Sequence, residues 1–216
     1  MNALIVEDEG LTRNLLSGLL RREFDFDEIV QAADGDEAWE LFLGDEFTFI
    51  MIDLIIPKLD GLSLARKILE HGRGKKIIVL SSECDDYTVK EVSRSGIFGY
   101  IDKPGMSEFV LLEAIRTVLQ GRIYMSAAVR KVMDRIAVDP DAYYKVLSDR
   151  EMVVLRLLSK CETDESIAQE LDISPFTVRR HRLNIMNKLN LKSVAQLIRY
   201  ALDQGIVKHK SGLGWS

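Results

Sequence analysis

Phe49-Ile50-Met51-Ile52-Asp53 is a run of four apolar residues closed by an aspartate. A short continuous apolar run reads as a strand covered on both faces, because a half-exposed strand alternates instead. Its terminal carboxylate then falls where the end of the sheet meets solvent. Working outward, three other segments place polar groups after strands in the same way. They are Glu7-Asp8 after the first strand, Ser81 after the fourth and Lys103-Pro104 after the fifth. Any one of these is an ordinary strand-end residue. Together, an acidic pair, an aspartate, a hydroxyl and a lysine on four different strands describe a metal-assisted phosphoacceptor pocket.

The surrounding pattern supports that placement. Residues 1–120 alternate short apolar strands, near 2–7, 28–32, 48–53, 76–81 and 98–102, with amphipathic helices near 11–22, 35–43, 61–70, 86–94 and 107–119. Strands that alternate with helices predict a parallel sheet covered on both faces. Five of each in this length predict a doubly wound, flavodoxin-like α/β domain, whose ligands sit beyond the carboxyl ends of the strands. In the first helix Leu11, Leu15, Leu16, Leu19 and Leu20 recur at helical spacing and predict one buried stripe.

Phosphoryl transfer to Asp53 requires anions to approach one another, with Glu7 and Asp8 close by. A divalent cation offsets that repulsion, and an all-oxygen ligand set suits Mg²⁺. Asp8 and Asp53 are the expected direct ligands, with the main-chain carbonyl of Ile55 as a third and Glu7 binding directly or through water. Lys103 supplies positive charge to phosphoryl oxygens and Ser81 one hydroxyl donor.

Over about residues 1–120 the chain resembles the receiver domain of two-component response regulators. The residues that carry the resemblance are Glu7-Asp8, Asp53 with Pro57 and Gly61 after it, Ser81, and Lys103-Pro104. It implies a phosphoryl group delivered by a phosphohistidine on a partner sensor kinase, or by a small acyl phosphate. It also implies a cis bond at Lys103-Pro104 and a switch made of Ser81 and the aromatic Tyr100. Glu7 stands where many relatives have Asp, and Ser81 where many have Thr.

Charge divides the chain. Residues 1–120 hold 13 Lys/Arg against 23 Asp/Glu, and residues 121–216 hold 16 against 11. Within the second part the basic excess is confined to 174–210, with 8 basic residues and 1 acidic. An acidic module joined to a locally basic one predicts a polyanionic partner for the latter. The two cysteines, Cys84 and Cys161, and the scattered His71, His181 and His209 suggest neither a disulfide frame nor a zinc site. The Met-Asn-Ala-Leu start lacks the features of a secretory signal, and no apolar run nears the roughly 20 residues that span a bilayer. The expectation is a cytoplasmic protein without a membrane partner.

Residues 121–146 read as a linker, part helical around Val129-Arg130-Lys131-Val132-Met133, with a break at Asp139-Pro140-Asp141. Ser148-Asp149-Arg150-Glu151 is a capping box. It opens a small all-α unit over 147–209, with helices near 149–159, 164–171, 175–190 and 193–205, followed by a frayed tail at 210–216. Ser174-Pro175 is a helix start, a side-chain cap with proline at the first position. At 100° per residue Val178, Ile185 and Leu189 face inward, and Arg179, Arg180, Leu183 and Asn187 face outward. That outer face suits a DNA major groove, where Arg reads guanine. Arg182 lies nearer the apolar stripe and is expected in a phosphate contact or an internal ion pair. Lys188, Lys192 and Arg199 are candidate phosphate contacts, and Thr177 is counted with the DNA-facing residues.

This segment resembles LuxR/NarL-type output domains over about 147–207. Leu147, Arg150-Glu151, Val154-Leu155, Ile167-Ala168, Leu171, Ser174, Thr177-Val178, His181, Ile185 and Lys188-Leu189 carry the resemblance. Cys161 and Ser166 depart from the family's usual glycine and glutamate. The resemblance implies a helix-turn-helix whose recognition helix is Pro175–Asn190, and pairing of two copies through the last helix, where Val194, Leu197, Ile198, Ala201 and Leu202 lie.

The combined expectation is a DNA-binding regulator, switched by phosphorylation of Asp53, that dimerises on a two-fold DNA site and is no enzyme beyond its own phosphorylation and dephosphorylation. Two other classes stay in view. One is an adaptor whose helical unit binds protein rather than DNA. The other is a metal-dependent aspartyl phosphatase, disfavoured because Ile55 occupies the position two residues on, where such enzymes carry a second acid.

Overall fold

The computed structural model describes residues 1–72, 74–82, 84–138, 146–160 and 162–207. Asp139-Pro140-Asp141, Glu83, Cys161, His209 and the tail at 210–216 lie outside them. The chain divides into two compact units, one formed by Met1–Cys84 and Val89–Val132, the other by Asp85–Thr88 and Met133 onward.

In the first unit the strands are β1 (Asn2–Val6), β2 (Glu28–Ala32), β3 (Phe47–Asp53), β4 (Lys76–Ser81), β5 (Gly99–Asp102) and β6 (Tyr124–Met125). The helices between them are α1 (Gly10–Glu23), α2 (Gly35–Gly44), α3 (Gly61–His71), α4 (Asp86–Ser95) and α5 (Glu108–Leu119), and α6 (Ala127–Val138) follows β6. The sheet order is β2-β1-β3-β4-β5-β6 and every pairing is parallel. Chain order reverses between β1 and β3, so a crevice opens beyond their carboxyl ends. This is the doubly wound α/β sheet expected from the alternation of strands and helices.

The sheet has six strands rather than five. Gly121 adopts φ +77° after α5, a conformation that glycine reaches without strain, and turns the chain back toward β5. Tyr124 N then donates to Phe98 O (2.8 Å) and Ser126 N to Tyr100 O (2.9 Å). A two-residue strand carries no periodicity, so composition alone assigned it to the linker.

The α1 stripe also differs from expectation. Leu16, Leu19 and Leu20 are buried against β1 and β3 residues, whereas Leu11 and Leu15 are 69% and 66% exposed. At 100° per residue the five leucines spread over half the helix circumference, and the sheet covers only the sector containing the last three and Ser17. Caps set the helix starts. Asp34 accepts from the backbone N of Asp36 and Glu37, Asp60 from Ser63, and Ser107 from Val110.

The second unit contains α7 (Asp149–Ser159), α8 (Asp164–Leu171), α9 (Pro175–Lys188) and α10 (Val194–Asp203). The capping box is present at α7, with Ser148 accepting from Glu151 N and the Glu151 carboxylate accepting from Ser148 N. Val154, Leu155, Ile167, Val178, Ile185, Leu197 and Ala201 form its core. Helix α9 ends at Lys188 rather than Asn190, because Asn190 takes a left-handed φ of +53° and Leu191 N returns to Met186 O (2.8 Å).

Candidate functional site

Beyond the carboxyl ends of β1 and β3, ligand atoms of Glu7, Asp8 and Asp53 lie within 4.8 Å of one another. Glu7 and Asp53 are almost fully buried, at 1% and 3% exposed, and Asp8 faces solvent. From the end of β5, Lys103 Nζ reaches across and donates to Glu7 Oε1 and Oε2 (3.1 and 2.9 Å) and to Asp53 Oδ2 (2.8 Å). Asp53 Oδ1 accepts from Ile55 N (3.1 Å), so both carboxylate oxygens are held. Ser81 ends β4, next to β3 in the sheet, and is fully buried.

The electrostatics follow from burial and crowding. Desolvation pushes the Glu7 carboxyl above its ordinary range, the hydrogen bond from Lys103 opposes it, and the nearby Asp53 charge raises it further. Desolvation would lower Lys103, but its hydrogen bonds and attraction to Asp53 and Glu7 outweigh that and leave it above the ordinary lysine value. One ammonium among three carboxyl groups leaves a net negative pocket of hard oxygen donors. That donor set fits a divalent cation such as Mg²⁺ or Ca²⁺ and not a thiol-seeking metal.

The loop after β3 is pinned by close backbone approach. A Cβ on Gly61 would lie 2.0 Å from Asp53 O, and one on Gly35 would lie 1.9 Å from Leu59 O. Gly61 N donates to Leu54 O (3.2 Å) and Gly35 N to Pro57 O (3.3 Å). Lys58, at φ +63°, pairs with Asp34 (2.7 Å) across the same corner. The chain bearing Ile55 is therefore fixed beside Asp53.

Tyr100 is fully buried in β5. The Lys103–Pro104 bond is trans, against the cis form that the resemblance implies. Lys103–Gly105 form a 3₁₀ turn with Pro104 in its interior, and Asp102 Oδ2 accepts from Gly105 N (3.0 Å). A trans bond accommodates that turn while Lys103 points into the acidic cluster. Ser126 Oγ donates to Asp102 Oδ1 (2.5 Å) from the other side. Sequence reasoning passed over Arg13, whose Nη1 donates to Glu7 O and to Asp8 O (3.3 Å) and ties α1 to the acidic loop. Its position in the first turn of α1, just after the acidic pair, was the available signal.

In the helical unit Val178 and Ile185 are fully buried, and Arg179, Arg180, Leu183 and Asn187 are exposed on the far side of α9. Arg182 Nη1 pairs with Asp164 Oδ1 at 2.7 Å, and Arg179 Nε lies 3.9 Å from Asp164 Oδ2. Lys188 Nζ donates to Glu151 Oε2 (2.7 Å) while its side chain remains 42% exposed. Burial alone would raise the Glu151 carboxyl, but Lys188 and both Ser148 donors outweigh it and hold it below the ordinary range. Thr177 Oγ1 is engaged with Ser174 Oγ (2.8 Å) at the start of α9. Lys192 is exposed, and Arg199 faces Asp203 at 3.8 Å. On α10, Leu197 and Ala201 are buried while Val194 and Leu202 stay 38% and 36% exposed. Among the described residues, no helix is long and apolar enough to cross a membrane.

The fold and site define a class: a receiver module followed by a helix-turn-helix module. Residues 3–116 match the response regulator receiver domain, and residues 145–201 match the luxR family of bacterial regulatory proteins. The oxygen regulatory protein NreC of Staphylococcus epidermidis is 32% identical over 219 residues, covering 96% of this chain and all of that one. NreC of Staphylococcus carnosus is also 32% identical, over 96% of this chain and 99% of its own. Among solved structures, the RcsB–DNA complex superposes with a TM-score of 0.64 at 22% identity, covering 94% of this chain and 98% of that one. RcsB of Salmonella enterica serovar Typhimurium, bound to a promoter with the phosphomimetic BeF₃⁻, gives 0.66 at 21%, covering 93% and 97%. At that identity the structural likeness concerns the fold. The chain belongs to the response regulators with a luxR-family DNA-binding domain, and it is a phosphorylation-controlled transcription regulator.

Proposed function

We propose that Asp53 is the residue that takes the phosphoryl group, supplied by a phosphohistidine on a sensor kinase or by a small acyl phosphate. The observation that carries this is the Lys103 ammonium, in contact with both Asp53 and Glu7 inside a cluster of three acids. In the transfer, an Asp53 carboxylate oxygen bonds to phosphorus as the donor's N–P or O–P bond breaks, and the departing group keeps the electron pair. Glu7, Asp8, Asp53 and the Ile55 carbonyl would hold Mg²⁺, which would neutralise the crowded anions and polarise the phosphoryl oxygens. Lys103 then stabilises charge on those oxygens, and Ser81 gives them a hydroxyl donor. Catalysis amounts to positioning and electrostatics, directed only at the protein's own phosphorylation and dephosphorylation.

The consequence is a change of surface. Charge-assisted hydrogen bonds contribute about 1.5–3 kcal/mol each, enough to shift a two-state equilibrium tenfold or more. Ser81 and the buried Tyr100 are the residues through which the phosphoryl group acts on the β5–α5 side. The output is DNA binding by α9 in the major groove, with Arg179, Arg180, Leu183 and Asn187 toward the bases and Lys192 toward phosphate. Two copies paired through α10 would meet a two-fold site, in the cytoplasm. Arg182 and Lys188, held by Asp164 and Glu151, set the orientation of α9.

Incubation with acetyl phosphate, with and without Mg²⁺, tests the assignment. One phosphoryl group should appear, dependent on the metal, and be absent from Asp53→Asn. Label retained on another residue would overturn it.

A further inference from the structure

Two large apolar side chains stand in solvent on α9. Phe176 is 74% exposed and Leu183 53% exposed. They lie seven residues apart, two helical turns, and so share one meridian of the helix. Arg180 falls between them, four residues after the first and three before the second, on the same face. Val178 and Ile185 occupy the opposite side and are fully buried. The strip is thus apolar, cationic, apolar, with the aromatic at the second position of the helix.

We propose that Phe176 and Leu183 are specificity residues that contact the 5-methyl groups of thymines flanking a guanine read by Arg180. This rests on the proposal that α9 enters a DNA major groove. The thymine methyl is the apolar feature that this groove displays, and guanine offers the acceptor pair that suits Arg. Seven residues at 1.5 Å each span about 10.5 Å, close to three base steps of about 3.4 Å. The N-terminal part of a recognition helix reaches base edges, which is where Phe176 sits. Charge favours DNA as the occupant over a second protein. Arg180 lies on the strip and exposed Arg179 beside it on α9, and residues 174–210 hold 8 basic residues against 1 acidic.

The test uses the full chain with a phosphodonor and duplexes selected by it from a randomised library. In one selected duplex, each thymine is replaced singly by deoxyuridine, which removes the methyl and leaves pairing intact. Two replacements, about three steps apart, should each weaken binding about fourfold, the value of one buried methyl-sized group. In Phe176→Ala one of these penalties should vanish, and in Leu183→Ala the other. Uracil tolerated at every position, or penalties that persist in both variants, would overturn the proposal while leaving DNA binding intact. Absence of binding to any duplex would overturn it together with the DNA-binding proposal.

Discussion

The Lys103 ammonium lies 2.8 Å from the Asp53 carboxylate, although the two residues end different strands fifty positions apart. The sheet register produces this contact. β3 and β5 both pair with β4, and Asp53 stands opposite Leu80 while Ser81 stands opposite Asp102. Lys103 therefore leaves the sheet one strand beyond Ser81, pointing back over the acids. Replacing it by alanine should slow phosphoryl uptake from acetyl phosphate by about 10²–10³, as loss of one preorganised donor does. Label incorporation over time measures this, and an unchanged rate would remove Lys103 from the chemistry.

Gly61 is fixed by space rather than by dihedral angle. A Cβ there meets Asp53 O at 2.0 Å, whereas one at Gly44 meets nothing within 4 Å. Gly61→Ala should cost about 1–3 kcal/mol and displace the loop bearing Ile55. Gly44→Ala, at the end of α2, should stabilise by up to about 1 kcal/mol. Thermal unfolding of the two variants should move in opposite directions.

Glu151 links stability of the helical unit to pH. Its carboxyl is held below the unfolded value, so the folded unit gains stability above the ordinary carboxylate range and loses it as pH falls through the lowered value. Glu151→Gln keeps an acceptor for the capping box but removes the charge that meets Lys188. Amide hydrogen exchange in α7 should show the variant less protected than the parent near neutrality, with the difference closing in acid. A constant difference across pH would show that the charge contributes nothing.

Arg180 and Arg182 separate recognition from architecture. Arg180 is exposed on the outer face of α9, and Arg182 is paired with Asp164 at 2.7 Å. Arg180→Ala should weaken a selected duplex by about 1–3 kcal/mol and random DNA far less. Arg182→Ala should instead lower stability and weaken both duplexes alike. Titrations against the two DNAs distinguish the cases.

Much of this arrangement was legible because its signals are local. Continuous apolar runs mark buried parallel strands, and Ser148 and Ser174 mark helix starts by their own hydrogen bonds. The convergence of Glu7, Asp8, Asp53 and Lys103 followed from strand ends in a parallel sheet. What stayed hidden depends on partners distant in sequence. Leu11 and Leu15 match the helical period of the buried leucines, yet the sheet does not reach them. The pairing of Lys188 with Glu151, 37 positions earlier, left no local signal. The strand at Tyr124–Met125 exists only by pairing with β5. Phe176 attracted no notice because an apolar residue in a helix is ordinarily core.

The most direct test measures affinity of the full chain for one selected duplex, with and without acetyl phosphate and Mg²⁺, beside Asp53→Asn. Loading of Asp53 should tighten binding by about tenfold or more, the effect of one charge-assisted hydrogen bond on a two-state equilibrium. The variant should show no response to the donor. Equal affinity for the loaded and unloaded parent, or an equal response from Asp53→Asn, would contradict control of DNA binding through this carboxylate.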